Sequence, residues 1–332
     1  MLKEVRMKEV TFIQAINEAV DEEMKRDPSV FIIGEDVGKY WGAPNGEFMG
    51  LFDKYGPERV KDTPISETAI LGGAIGAAAT GMRPIAHIMF IDFLGVCGDE
   101  LINQLTQMRY MFGGKIKLPV TIMSYSGAGI GTAAQHSKSL YGWLMSIPAL
   151  KIVAPSTPYD AKGLLKSAIR EDNPVIFLEH KMLIFGGIKS EIPEEEYTIP
   201  LGKGDIKREG SDVTVVAIAF MVHRALAAAD KLQEKGISIE VVDPRSLVPL
   251  DKQAIIDSVK KTGRLVIMDE EPKTGSAAGE ISAIVAEEAF DHLDAPIRRV
   301  CAPDTPIPFS PVLEKAWMPD EEDLIKAVTE IM

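Results

Sequence analysis

The sequence predicts an α/β protein of two domains, each a largely parallel sheet flanked by helices. The chain has 332 residues, of which 46% are hydrophobic and 26% charged, so both domains can bury an ample core. Short apolar runs alternate with segments of helical apolar spacing, the pattern of strand–helix–strand units. Residues 191–204 combine prolines, glycines and acids without a period. They predict a linker between a first domain, 1–190, and a second domain, 205–332.

Local signals define the elements of the first domain. The apolar spacing from Val10 to Met24 predicts a helix, and the apolar run from Val30 to Ile33, closed by Gly34, predicts a buried strand. By the same criteria we expect strands at 83–90, 118–125, 150–154 and 175–179, and helices at 96–111 and 158–170.

The second domain repeats this alternation. Strands are expected at 213–219, 237–242, 264–268 and 297–300, and helices at 221–234, 252–261, 277–290 and 320–331. Their order implies a largely parallel sheet with helices on both faces.

A helix with an unusual composition is expected to start just after Pro64, which biases the residue before it toward an extended shape. Ser66 is predicted as its N-cap and Glu67 as a first-turn acid. The glycines within 72–76 each cost about 1 kcal/mol in a helix interior, so we expect them to permit close approach of another helix. A solvated acid that stabilises the helix dipole is the alternative interpretation of Glu67.

Three further candidate site residues follow predicted strands or lie in a glycine-rich loop. Glu35 follows the strand at 30–33, where open α/β sheets place ligands, although a polar loop explains it equally well. Phe93 follows the strand at 83–90, where a core position is the alternative. His136 lies beyond the glycines of 127–131, where a general acid or base can reach a ligand. That loop has Thr132 where a dinucleotide fingerprint has its third glycine.

Composition excludes several classes of function. The net charge of −13 argues against a nucleic-acid partner, and no apolar run is long enough to span a membrane. The N-terminus mixes both charges and does not predict a secretory signal. Cys97 and Cys301 are far apart in sequence, which favours a reducing, cytoplasmic location. None of the five histidines has the spacing of a metal site.

Several motifs together resemble the transketolase-like β subunits of thiamine-diphosphate-dependent 2-oxoacid dehydrogenases. The matching motifs are Asp62-Thr63-Pro64-Ile65-Ser66-Glu67, Arg83-Pro84, Ala133-Ala134-Gln135-His136-Ser137, Asn173-Pro174-Val175-Ile176-Phe177-Leu178-Glu179, Met221-Val222-His223, Asp243-Pro244-Arg245-Ser246-Leu247-Val248-Pro249-Leu250 and Thr262-Gly263-Arg264-Leu265-Val266. Residues 89–97 and 109–115 resemble the acetoin-cleaving branch more than the pyruvate branch.

The resemblance implies a pyrimidine-binding domain followed by a transketolase-like C-terminal domain, with roles for four residues. Glu67 matches the acid that hydrogen-bonds a pyrimidine nitrogen of thiamine diphosphate, and Phe93 the aromatic that packs on that ring. Glu35 matches an acid near the same pocket. His136 matches a histidine suited to proton transfer when the lipoyl group is acylated. The implied reaction is acetoin cleavage with acetyl transfer to a lipoyl carrier, with cleavage of pyruvate or another 2-oxoacid as the alternative. A non-catalytic scaffold subunit is the alternative from another class.

The resemblance also implies partners and ions. The Gly-Asp-Gly…Asn segment that holds magnesium and diphosphate is absent, so an α subunit is expected to supply it in an α2β2 heterotetramer with a second copy of this chain. The acid-rich segments 269–271 and 320–323 are expected to dock the basic domain of a lipoyl acyltransferase. The family's alkali-metal pattern, Asp-x-Asn-Pro, here begins with Glu171 and keeps Asn173, which leaves that ion open.

Overall fold

The computed structural model describes residues 6–332, and contacts divide them into two compact units. Unit 1 runs to Ser126 and resumes as Ile147–Leu201, while unit 2 consists of Gly127–Ser146 and Gly202–Met332. The segment 127–146, which carries His136, thus belongs by its contacts to the C-terminal unit, whereas the predicted boundaries assign it to the first domain.

The regular elements are numbered in chain order. The strands are β1 (Met7–Thr11), β2 (Val30–Glu35), β3 (Val60–Thr63), β4 (Arg83–Phe90), β5 (Thr121–Ser126), β6 (Lys151–Val153), β7 (Val175–His180), β8 (Lys189–Pro193), β9 (Asp205–Arg208), β10 (Val213–Ala217), β11 (Ile239–Asp243), β12 (Ser246–Val248), β13 (Leu265–Pro272) and β14 (Arg298–Ala302). The helices are α1 (Phe12–Arg26), α2 (Leu51–Tyr55), α3 (Glu67–Ala79), α4 (Met108–Met111), α5 (Tyr141–Met145), α6 (Pro158–Arg170), α7 (Lys181–Phe185), α8 (Met221–Glu234), α9 (Lys252–Thr262), α10 (Ala277–Glu288), α11 (Pro311–Trp317) and α12 (Glu321–Thr329).

Unit 1 is built on a parallel sheet in the order β6-β7-β5-β4-β2-β3. Every residue of β5 and β7 is buried, as expected for central strands covered on both faces. Residues 189–193, at the start of the expected linker, form β8, which pairs antiparallel with β1.

The segment 96–111 is helical over most of its length but is not the single regular α-helix that was expected. A 3-10 turn covers Ile91–Gly95 before it, a π-helical turn covers Glu100–Leu105, and α-helical geometry is confined to residues 98–99 and α4. The Asp99 carboxylate accepts hydrogen bonds from Asn103 (2.7 Å) and Gln104 (3.3 Å), four and five residues along, which matches the wider spacing of a π turn.

Helix α3 begins at Glu67, as predicted, and continues through its glycines to Ala79. The Ser66 hydroxyl does not cap it; it donates instead to the Pro64 carbonyl at 3.2 Å. Gly73 and Gly76 are exposed, and a Cβ at Gly76 would meet nothing within 4 Å. The described residues therefore do not supply the close helix contact expected at these glycines, and this face of α3 lies on the surface of the chain.

Unit 2 contains a second sheet, in the order β14-β13-β10-β11-β9, parallel except for the β11–β9 pair. The signals that end its helices are local. Asp251 caps α9 by accepting from Ala254 N, and Gly263 ends it in the left-handed region at φ 71°. No helix in 6–332 is long and apolar enough to cross a membrane. The two sheets confirm the predicted fold class.

Candidate active site

Acidic side chains gather where β2 and β3 of unit 1 end and α3 begins. The parallel register pairs Gly34 with Asp62 and Glu35 with Thr63, and Glu67 opens α3 four residues later. Burial, followed by the negative charges of Asp36, Glu67 and Asp62, raises the pKa of Glu35. These carboxylates therefore act on one another electrostatically.

Two glycines make room for this acid group. A Cβ at Gly34 would lie 2.8 Å from the His87 carbonyl oxygen, and one at Gly38 would lie 2.7 Å from a carboxylate oxygen of Asp62. Only glycine fits at these contacts without a shift of the neighbouring atoms.

Phe93 lies in the 3-10 turn that follows β4 and is partly exposed, so it is not a core residue. Its ring meets that of Phe90 edge-on at 6.0 Å, and Phe90 meets Tyr125 at 5.7 Å. The Thr68 hydroxyl at the start of α3 donates to the Val96 carbonyl at 3.1 Å. This bond ties the helix that begins with Glu67 to the segment just after Phe93.

The rings of Phe93, Phe90 and Tyr125 lead to a buried polar cluster that sequence reasoning missed. It consists of Glu47, His87, Tyr125 and Glu179, each at most 1% exposed. The Tyr125 hydroxyl donates to Glu47 Oε1 at 2.6 Å, and the His87 ring lies 5.4 Å from that of Tyr125. Neither Glu179 oxygen nor either His87 nitrogen has a hydrogen-bond partner among the described residues.

Burial shifts the pKa of each group in this cluster in the direction that favours its neutral form. It raises the pKa of Glu179 well above its usual range, with a further contribution from the Glu47 charge, and it lowers the pKa of His87 to about 4. The sequence placed Glu179 at the end of a strand but gave no sign of its neighbours.

His136 lies in unit 2, in residues 127–139, which we call the histidine loop. Gly127, Gly129 and Gly131 hold positive φ angles of 85°, 107° and 74°, which glycine adopts without strain. His136 is partly buried, and its carbonyl accepts from the Thr132 hydroxyl at 3.0 Å. The predicted glycine-rich bend therefore leads directly into the turn that carries the histidine.

Comparison with known proteins assigns the family. Residues 8–185 match the pyrimidine binding domain of transketolase, and residues 202–324 match the transketolase C-terminal domain. The chain is 50% identical to the acetoin:2,6-dichlorophenolindophenol oxidoreductase subunit beta of Bacillus subtilis, over 97% of both chains. It is 51% identical to the subunit of the same name from Cupriavidus necator, over 96% of both.

The chain belongs to the transketolase-like β subunits of the 2-oxoacid dehydrogenase group. A further member, the pyruvate dehydrogenase E1 component subunit beta of B. subtilis, is 44% identical over 98% of this chain and 99% of its own length. A split gene transketolase, described as an inactive beta4 tetramer, shares the fold with a TM-score of 0.78 at 24% identity, over 97% of this chain and 98% of its own.

Membership confirms that the chain is a component of a thiamine-diphosphate-dependent oxidoreductase, with the two domain types that the resemblance implied. It also excludes the scaffold alternative at the level of the family.

In this β subunit the acids at 269–271 are buried inside unit 2, so they are not an exposed docking surface. Asp269, Glu270 and Glu271 are at most 4% exposed. Glu271 accepts from Gly142 N at 2.9 Å and from Ala277 N at 2.8 Å. Burial and then the Asp269 charge raise the pKa of Glu271 to about 9.

The acids at 320–323 begin α12, and each has a local contact. Asp320 accepts from the backbone N–H groups of Glu322 and Asp323 as the N-cap. Glu321 pairs with Arg224 at 2.7 Å and Glu322 with Lys231 at 2.7 Å. Glu322 and Asp323 remain exposed, so of the two acid-rich segments this one keeps carboxylates at the surface.

The residues expected near an alkali ion are engaged with basic side chains. Glu171 Oε2 accepts from Lys151 at 2.6 Å and its carbonyl from Arg83 at 3.0 Å, while Asn173 Oδ1 accepts from Arg109. Across 6–332 there is also no group of three or more His, Cys, Asp or Glu side chains that could hold a metal. These oxygens of Glu171 and Asn173 do not fit an added alkali ion, because three side-chain cations already donate hydrogen bonds to them.

Proposed function

We propose that this chain is the β subunit of a thiamine-diphosphate-dependent acetoin dehydrogenase-type complex, which cleaves acetoin and passes the acetyl group to a lipoyl carrier. The assignment of acetoin as the substrate is based on the degree of sequence identity to known relatives. It is 50–51% to two acetoin oxidoreductase β subunits and 44% to the pyruvate and 2-oxoisovalerate dehydrogenase β subunits of B. subtilis. Pyruvate or another 2-oxoacid is the alternative substrate.

The acid group of unit 1 fits the pyrimidine end of the cofactor. Neither Glu35 nor Glu67 accepts a side-chain hydrogen bond from the described residues, so both carboxylates are available to donors of a ligand. Glu67 would hold a proton at a pyrimidine nitrogen, Phe93 would pack on the ring, and Glu35 would provide a second acceptor close by. When bound, thiamine diphosphate would supply the electron sink for cleavage of the substrate.

His136 serves the later transfer of the acetyl group in this proposal. Its imidazole lies at the end of a glycine-rich loop and is only partly buried, so it is accessible to an incoming lipoyl group. An imidazole side chain can both give and take a proton near neutral pH. Its part is to move that proton as the lipoyl sulfur is acylated.

The other half of the cofactor site comes from a separate α chain. The diphosphate and its magnesium need oxygen ligands and N–H groups that the sequence does not place in one segment, and a chain of net charge −13 repels a diphosphate. The exposed glycine face of α3 then forms the contact with a second copy of this chain, which gives an α2β2 assembly with cofactor sites at α–β interfaces.

The acyltransferase docks through unit 2 in this proposal. Because residues 269–271 are buried, the proposed contact with the acyltransferase is limited to the exposed acids at the start of α12, Glu322 and Asp323. The free thiols of Cys97 and Cys301 agree with a cytoplasmic location.

The substrate is tested by turnover of the assembled α–β enzyme with acetoin, pyruvate and 2-oxoisovalerate, followed by reduction of 2,6-dichlorophenolindophenol. We expect kcat/KM for acetoin to exceed that for both 2-oxoacids by at least about tenfold, which is about 1.4 kcal/mol of transition-state discrimination. A preference for pyruvate in the same assay would replace the proposal with its alternative.

A further inference from the structure

The N–H group of Gly127 donates within the histidine loop, to the Lys138 carbonyl at 3.0 Å, but those of Ala128, Gly129 and Gly131 have their partners outside the loop. Residues 127–131 run as an irregular segment whose glycines have left-handed φ angles, so the N–H groups of this segment do not belong to a sheet ladder or helix. Buried backbone N–H groups without partners are strongly unfavourable.

Two buried carboxylates of unit 2 provide those partners. Glu314, on α11, is 3% exposed; its Oε1 accepts from Gly129 N and its Oε2 from Gly131 N, both at 2.9 Å. Glu270 Oε1 accepts from Ala128 N at 2.6 Å. Glu314 therefore spans the bend with both oxygens, and no side chain with a single acceptor atom can reproduce this.

The anchored bend is directly connected to the histidine. Thr132 follows Gly131, and its hydroxyl donates to the His136 carbonyl and shares a 2.7 Å hydrogen bond with the Ser137 hydroxyl. The backbone N–H of His136 donates to the Ala133 carbonyl, with 3.4 Å between nitrogen and oxygen. Residues 132–137 thus form one closed turn, and its direction is set by the bend that Glu314 holds.

We infer that Glu314 is a positioning residue for His136: a buried carboxylate that fixes the histidine loop without touching the substrate. The inference rests on the proposed role of His136 in acetyl transfer. It predicts that loss of the second acceptor oxygen loosens the loop and slows the step that uses His136, while substrate cleavage at the acid group of unit 1 proceeds.

The test compares Glu314→Gln with the unchanged enzyme, both assembled with the α chain, by three measurements. Hydrogen exchange followed by mass spectrometry reports the amides of 128–131, dye reduction reports acetoin cleavage, and acetylation of a free lipoyl domain reports the transfer step. The amide nitrogen of Gln cannot accept, so one glycine N–H loses its partner. We expect about tenfold faster exchange in 128–131 and about tenfold slower lipoyl acetylation, with dye reduction changed by less than about threefold.

Glu314→Asp is the second variant, and Glu287→Gln, at an exposed position of α10, is the matched control. Asp keeps the charge and both oxygens on a shorter side chain, so we expect exchange and acetylation between those of the unchanged and Gln enzymes. The control should change nothing. Unchanged exchange in 128–131, or an equal loss of dye reduction and acetylation, would overturn the inference.

His136→Ala separates this inference from the function on which it rests. If His136→Ala acetylates the lipoyl domain normally, the proposed role of His136 fails. If it blocks acetylation while Glu314→Gln leaves both acetylation and loop exchange unchanged, only the positioning role of Glu314 fails.

Discussion

The buried carboxyl of Glu179 should make the free energy of unfolding depend on pH. Both of its oxygens lie in the interior of unit 1 without a hydrogen-bond partner among the described residues, and burial raises its pKa well above the ordinary value of 4.5. The folded state therefore binds this proton more tightly than the unfolded state. The stability that the proton contributes is complete below pH 4.5 and is lost as pH rises toward the folded pKa.

Glu179→Gln removes this titration and keeps the shape of the side chain. Between pH 5 and pH 8 the unfolded state of the unchanged protein loses this proton more readily than the folded state, so the free energy of unfolding of the variant should rise relative to that of the unchanged protein as the pH increases. The other titrating groups of the cluster, Glu47, His87 and Tyr125, remain in both proteins, so the difference reports Glu179 together with its interaction with Glu47.

The measurement is urea unfolding at pH 3, 5, 6.5 and 8, and Glu171→Gln is a control of opposite sign. Burial raises the pKa of Glu171, but hydrogen bonds from Lys151 and Asn173 outweigh it, and the net pKa is lowered. Its contribution is therefore present above pH 4.5 and is lost on acidification, so Glu171→Gln should be less stable at pH 8 and converge with the unchanged protein toward pH 3. Parallel pH curves for the unchanged protein and Glu179→Gln would refute the assignment of a raised pKa.

Three further outcomes are expected. Glu67→Gln keeps one acceptor oxygen but cannot hold the proton, so turnover should fall at least about 100-fold in an enzyme that still assembles; near-normal turnover would contradict the role of Glu67. The chain purified alone with magnesium and thiamine diphosphate should show no cofactor binding by calorimetry and no acetoin cleavage in the dye assay until an α chain is added, and micromolar binding with turnover by the chain alone would contradict the divided site. Binding of the basic acyltransferase domain should weaken as salt rises and weaken further in Glu322→Gln, whereas an affinity independent of salt would exclude these acids as the contact.

Local sequence signals predicted the regular elements where one segment alone decides the outcome. Pro64 determined where α3 could begin, and α8 has the bounds predicted from its apolar spacing, 221–234. The π-helical turn within the helix expected at 96–111 was not predicted, because apolar spacing does not reveal that Asn103 and Gln104 bind Asp99. Glu35, Glu67, Phe93 and His136 could be proposed as candidates because each follows a strand, starts a helix or lies in a glycine-rich loop, and their roles remain predictions.

The features that sequence reasoning missed all join distant parts of the chain. Tyr125 and Glu47 are 78 residues apart, Ala128 and Glu270 are 142 apart, and Gly129 and Glu314 are 185 apart. A run of acids such as 269–271 has the composition of a solvated surface, yet the parallel sheet of unit 2 buries it and its carboxylates accept backbone N–H groups.

By itself the sequence determined the fold class, the element order and the residues with suitable chemistry, because periodicity, helix caps and turn residues act over a few positions. Only the tertiary structure decided which acids are buried, which carboxyl keeps its proton and which glutamate holds the histidine loop. Burial and hydrogen-bond partnership depend on groups brought together across more than a hundred residues, and no local pattern encodes those distances.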